Sequence, residues 1–525
     1  MKSLVISFFL VLEFSLLFGQ VASVEELDQK YLNWYNKDKE SSHIMGSSVD
    51  KAYEYLQSKG KKTKTVIVAV MDSGVDIDHE DLQGKIWVNE DEIAGNGIDD
   101  DNNGYVDDIH GWNFIGSSTG ENISYENLEY ARIVKKAEMI DPLYTSAKKL
   151  YDEELQKRSK DKEQIEKFKE VYEKAKMIIK YGTGIDVKNA EDLVDVQSNE
   201  QSVIAAKSFL QKRYEMGFTE EGLQSMIERN KEFLDYHLNL DFEPREMVGD
   251  DPEDISDRNY GNPDVEGQRA DHGTSVAGLI AAQRDNGIGI DGIATDVRIM
   301  CIRSTPRGDE RDKDVALGIY YAVDNGADII NMSFGKEFSP QKHFVDEAVK
   351  YAEEHGVLIV HGSGNSGLNI DEDERYPSDR LLDGSEPTNW INVGASAMNL
   401  DKQIAASFSN YGKQHVDVFA PGVDIISTDS SGTYGQHDGT SLAAPVVSGI
   451  AAMLLSYYPD LQPQEIIDII VASSFQFKKP RKVFRPGDQK KVKFKDLSKS
   501  GGIINAYNAV VEAEKRLSNT LSLGL

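Results

Sequence analysis

From Thr65 onward, short apolar runs alternate with stretches whose apolar positions recur every three or four residues. The runs TVIVAVM, VRIMCI, ADIINMS, GVLIVHG and WINVGAS read as strands, and the segments after Gly273, near 313–325 and near 341–355 read as helices. This alternation predicts an α/β fold with a mostly parallel central sheet covered on both faces. In such sheets chemistry gathers at the carboxyl ends of the strands. A longer helical pattern runs through DGTSLAAPVVSGIAAMLLSYYP (438–459), with Ala444, Val447, Ile450, Ala451, Leu454 and Leu455 on its apolar face. Pro445 is expected in its first turn, where a missing N–H costs little. The helix should then begin at or just before Ser441, whose hydroxyl would meet the free N–H groups and positive dipole end of a helix N-terminus. A plain helix cap would place a serine in the same way.

The strand ends carry polar residues. VIVAVMDSGVD ends in Asp72, NMSFG carries Ser333-Phe334-Gly335, and GVLIVHGSGNSG carries Gly362-Ser363-Gly364-Asn365. In ADHGTSVAGLIAA, His272 opens a helix of small residues. Each residue alone has a structural explanation, as a turn former or cap. Together with Ser441 they make a nucleophile, a base, an orienting carboxylate and an amide donor.

DSGVD, DHGTSVAG, NMSFG, GSGNSG and DGTSLAAP resemble, in order, the signature segments of the subtilisin-like serine peptidases, the subtilases. The resemblance covers 44–115 and 247–515. An α/β-hydrolase would instead show G-x-S-x-G, with its serine first in chain order. The resemblance implies a three-layer subtilisin-like fold and a serine endopeptidase working through an acyl-enzyme on extended polypeptides. Asp72, His272 and Ser441 would form its triad, with Asn365 and the Ser441 N–H as oxyanion donors. Ser333, Phe334, Gly335, Gly362, Ser363 and Gly364 would wall the primary specificity pocket. By the same resemblance Arg375, just before Tyr376-Pro377, would fall at the base of that pocket. A guanidinium there would favour acidic or long polar side chains, unless Asp371, Glu372, Asp373 or Glu374 neutralises it. The alternative function is a catalytically silent binding or chaperone-like protein on the same fold.

A formal net charge of −31 argues against nucleic acid as a partner. The N-terminal apolar run Leu4–Phe18 after Lys2 is too short for a membrane span and fits a signal peptide cleaved near Ser23, with no cysteine nearby for a lipid anchor. Export to the periplasm or outside, as a monomer with no membrane anchor, is the expectation. The expected organisation is a signal peptide (1–23), an N-terminal extension (24–60), a first catalytic part (61–120), a helical insertion (121–246) and a second catalytic part (247–525). The extension leaves little room for the folded inhibitory prodomain common in secreted subtilases. In the insertion, Ile165, Phe168, Tyr172, Ala175 and Ile179 mark an amphipathic helix stopped at Gly182, and a further helix starts at Thr219. It would serve as decoration, a lid or an exosite.

Structural calcium is expected, with two candidate sites, the first weighed against a plain acidic turn. Asp99, Asp101, Asn103, Tyr105 and Asp107 fall at positions 1, 3, 5, 7 and 9 of an EF-hand-like loop. Position twelve is His110 rather than glutamate, so another carboxylate, such as Asp108, must complete the site. By resemblance, Asp81 and Asn286 would form the second. The lone cysteine, Cys301, reads as a small core residue, and the basic run Lys478–Lys495 as a surface hairpin.

Overall fold

The computed structural model describes residues 22–136, 142–479 and 481–523. Most of the expected signal peptide thus lies outside the described residues. Seven strands form one parallel sheet: β1 (Val66–Asp72), β2 (Gly111–Asn113), β3 (Val297–Arg303), β4 (Ile329–Met332), β5 (Leu358–Gly362), β6 (Trp390–Ser396) and β7 (Val418–Pro421). Their order is β2-β3-β1-β4-β5-β6-β7.

Alternating side chains explain the three layers. Val66, Val68 and Val70 of β1, with Val297, Ile299 and Cys301 of β3, belong to one core, whereas Ala69, Met71, Met300 and Ile302 belong to another. The first core also takes residues from helices α1 (Val49–Lys59), α6 (Asp271–Ala281), α9 (Thr440–Tyr457), α10 (Pro463–Ser473) and α11 (Ala506–Leu523). The second takes residues from α7 (Asp312–Asp324) and α8 (Lys342–Glu354). Both faces of each strand are therefore buried, which is why the strands read as continuous apolar runs. Cys301 lies fully buried in mid-β3, and burial pushes its thiol up to about 12.

Between β2 and α6 the chain is helical: α2 (Glu129–Lys136), α3 (Tyr144–Thr183), α4 (Gln201–Glu215) and α5 (Glu220–Glu232). Residues 165–228 form a compact unit of their own. Its core gathers Tyr172, Ala175, Ile179, Val203 and Leu210, with Phe168 and Ile165 packed against it. The expected stop at Gly182 falls one turn-end early. The helix runs to Thr183, Gly184 takes the left-handed conformation (φ +81°), and a Cβ on Gly182 would come within 2.5 Å of Val203. Gly182 is thus a packing glycine and Gly184 the terminator. Thr219 caps α5, its hydroxyl accepting the Gly222 N–H at 2.9 Å.

Two antiparallel ribbons complete the described structure. Strands β8 (Ile425–Asp429) and β9 (Thr433–His437) lead into α9, and β10 (Lys482–Phe484) pairs with β11 (Lys491–Lys493) as the expected basic hairpin.

Candidate active site

Asp72 closes β1 and is buried, and His272 is the second residue of α6. Their approach depends on glycine: a Cβ at Gly273 would sit 2.0 Å from the Gly74 carbonyl oxygen and 3.1 Å from Asp72 Cβ. With that space free, Asp72 Oδ1 lies 2.7 Å from His272 Nδ1 and also accepts the Ser73 N–H at 2.7 Å. The contact makes Nδ1 the protonated nitrogen and leaves Nε2 as the basic one. Burial alone would lower the His272 pKa, but the charge and hydrogen bond of Asp72, with the charge of Asp429, outweigh it and raise it above 6.5.

Ser441 is the second residue of α9, so Pro445 falls in the second turn, not the first as expected. A proline there deprives the carbonyl four residues back, that of Ser441, of its helical donor. The Ser333 hydroxyl replaces it, donating to Ser441 O at 2.8 Å. Ser333 in turn accepts from Asn331 Nδ2 at 2.9 Å, and Asn331 Oδ1 accepts from Ser448 at 2.8 Å. The end of β4 thereby carries the first turns of α9.

Asn365 flanks Ser441 from the end of β5. Its Oδ1 accepts the Thr440 N–H at 2.9 Å and the Thr440 hydroxyl at 3.0 Å. A backbone N–H only donates, so the oxygen of this amide is fixed and the Nδ2 group turns to the exposed side. Among the described residues the Ser441 N–H has no hydrogen-bond partner, and no hydrogen bond joins its hydroxyl to His272. Gly362 stands beside it, where a Cβ would lie 3.1 Å from Thr440 O and 3.4 Å from Ser441 N.

Of the remaining expected pocket residues, Gly335 is exposed next to the antiparallel bridge between Lys336 and Tyr376 (2.8 and 3.0 Å), and a Cβ on it would lie 3.0 Å from Tyr376 O. The His361 ring holds the Phe334 carbonyl at 2.9 Å. Ser363 is buried, and Gly364 takes φ +102° with its N–H on the Thr440 hydroxyl at 3.0 Å. Arg375 and Ser363 line one small cavity with His361, Asp379 and His415. The Arg375 guanidinium is already engaged, with Asp373 at 2.9 Å and the Glu374 carbonyl at 3.2 Å.

The acidic loop folds around a partner that sequence reasoning missed. Glu92, Asp99 and Asp101 place carboxylate oxygens within 4.8 Å of one another, a spacing that one calcium ion with ligands at about 2.3–2.6 Å bridges. Glu92 is buried, and its carboxylate also accepts the N–H groups of Asp100 (2.7 Å) and Asp107 (3.1 Å). Asn103 Oδ1 accepts from Tyr105 N, and Tyr105 packs its ring against Trp112 and Tyr321. The Asp107 carboxylate instead caps Asn96 N and Gly97 N at 3.1 and 2.9 Å, and Asp108 takes the Tyr321 hydroxyl at 2.6 Å. Only its position seven residues ahead of the loop hinted at Glu92. At the second site Asp81 accepts from Asn286 Nδ2 at 2.9 Å and Ile290 N at 2.7 Å. Burial pushes Asp81 up to about 6 despite these bonds, the condition a bound cation relieves.

The Subtilase family model matches residues 63–501, and the chain belongs to that family. It is 38% identical over 204 residues to a thermophilic serine proteinase of Bacillus sp. (strain AK1), covering 39% of this chain and 46% of that one. It is 36% identical over 197 residues to subtilisin DY of Bacillus licheniformis, covering 37% and 67%. The matches thus span between about half and two thirds of these relatives. A solved protease structure from Pseudoalteromonas arctica aligns over 92% of this chain and 97% of its own, at 20% identity and a TM-score of 0.47.

Proposed function

We propose that the chain is a serine endopeptidase that cleaves extended polypeptides through an acyl-enzyme. What supports this best is the Asp72–His272 hydrogen bond at 2.7 Å beside an asparagine whose amide donor is fixed next to Ser441. His272 Nε2 takes the Ser441 proton as Oγ attacks the scissile carbonyl, and Asp72 holds the imidazolium that forms. The oxyanion is met by Asn365 Nδ2 and the Ser441 N–H. Collapse expels the leaving amine, which takes the proton from His272. Water, deprotonated by the same ring, then releases the acyl group and restores Ser441.

The substrate would pair as an added strand along Phe334-Gly335, with Gly362, Ser363, Gly364 and Ser333 framing the primary pocket. Arg375 would reach an acidic side chain there only by exchanging Asp373 for it. Calcium held by Glu92, Asp99 and Asp101 with Asn103 and the Tyr105 carbonyl, and at Asp81 and Asn286, would serve stability. Export and action as a monomer complete the reading. Casein digestion by the purified protein, abolished by a fluorophosphonate and by Ser441→Ala, is the expected result. Residual cleavage by Ser441→Ala above about one thousandth of the parent would refute it, since the loss of a triad serine removes far more than that.

A further inference from the structure

The ribbon that leads to Ser441 holds a second histidine–carboxylate pair. Register sets Asp429 opposite Thr433 and His437 opposite Ile425, so the two residues lie toward opposite ends of the β8–β9 ribbon. Their side chains nevertheless meet, His437 Nε2 lying 2.9 Å from Asp429 Oδ1. Gly435, between them, makes this possible. A Cβ there would stand 2.1 Å from Asp429 Oδ2 and 2.6 Å from His437 Nε2, so this glycine is required for space.

Asp429 is fully buried, and its Oδ2 accepts no hydrogen bond among the described residues. A buried carboxylate left partly unsatisfied costs stability, so its retention calls for a role. Its other oxygen is bound by Ser275 Oγ at 2.8 Å, and Ser275 lies one turn beyond His272 on α6. The Ser275 hydroxyl also lies 2.8 Å from the Thr428 carbonyl and 3.0 Å from the Asp271 carbonyl, and the Ser427 and Thr428 hydroxyls donate to the Ser275 and Thr274 carbonyls at 2.7 Å, so β8 is tied along the helix that carries the expected base.

We propose that Asp429, held in place by His437 over Gly435, is a positioning residue for His272, a second carboxylate that stabilises its imidazolium from the β8 side. The inference rests on the reading of His272 as the base. The charge of Asp429 acts on His272 in the same direction as that of Asp72. Other acidic groups lie on the elements packed about α6 and the ribbon. Asp271, its neighbour on α6, is hydrogen-bonded by Ser430. Asp76 accepts the Gly432 N–H at 3.1 Å, Glu266 lies within the field of Asp76, and Asp438 adjoins His437.

The test is an NMR titration of histidine ring nitrogens in the full chain carrying Ser441→Ala, which prevents self-digestion, with His272 assigned by its loss in His272→Gln. Adding Asp429→Asn should move the His272 midpoint several tenths of a pH unit lower. Gly435→Ala, which displaces the pair without altering any charge, should also move it. In the parent enzyme Asp429→Asn should move the acid limb of kcat/KM the same way. Asp429→Ser serves if the asparagine variant does not fold. A His272 midpoint unchanged in the Asp429 variant and in Gly435→Ala overturns the proposal. The titration reads out whether or not casein is cleaved, so an inactive enzyme would overturn the proposed function alone.

Discussion

The Ser333 hydroxyl offers a quantitative test of how the nucleophile is held. Ser333→Ala strands two buried groups: the Ser441 carbonyl, which Pro445 cannot serve, and Asn331 Nδ2. Each orphaned buried group costs about 1–3 kcal/mol, so the variant should lose about 2–6 kcal/mol. Pro445→Ala returns an N–H to position 445, which can close the normal helical bond to Ser441 O. In that background Ser333→Ala should strand only Asn331, so its cost falls to about 1–3 kcal/mol, leaving a coupling of similar size between the sites. Urea-unfolding midpoints of the four proteins give the coupling, and the rate of fluorophosphonate labelling reports whether Ser441 shifts. Equal costs of Ser333→Ala in both backgrounds would refute the argument that one carbonyl is shared between a missing amide and a hydroxyl.

Three further outcomes are expected. Because Asp72 and Asp429 raise the His272 pKa and catalysis needs the neutral ring, kcat/KM should climb with pH along a limb centred above 6.5, and Asp72→Asn should bring that limb down; a limb below 6.5 in the parent would contradict this. Asp417, buried and pushed up to about 6 by burial despite Lys499 and the Asn392 N–H, keeps its proton in the native state after the unfolded chain has lost it near 3.8. Stability should therefore fall as pH rises from about 4 to 6, and Asp417→Asn, which can still accept that N–H, should flatten this slope in melting curves. Chelation by EDTA should lower the melting temperature, calcium should restore it, and Glu92→Gln should raise the calcium concentration required; a melt indifferent to EDTA would remove both metal sites.

The strands, both layers of helices and the residues at the strand ends were legible in the sequence because each strand is buried on two faces and its polar terminus interrupts an apolar run. What escaped depends on contacts remote in the chain. Pro445 could not be placed within its helix until Asn365 was seen to take the Thr440 N–H that starts it. Glu92 joins the acidic loop only after the chain turns back on itself. The meeting of Asp429 with His437 needs the ribbon register and an empty position at 435. Arg375 was visible as an anomaly, with Asp373 among its possible partners, and the fold of the loop selects that pairing.

The single thiol at the centre of β3 makes the chain its own clock. A cysteine with its pKa pushed up to about 12 and no solvent contact is inert while the sheet is closed. A thiol reagent therefore reacts only through opened copies, following the opening rate when reagent is in large excess and the population of the open state when it is not, and with one cysteine in the sequence the signal needs no assignment. Under the export proposed above, the same arrangement would have a cost. Opened copies, having no second cysteine to pair with, join to one another through Cys301, and a reversible excursion becomes permanent loss.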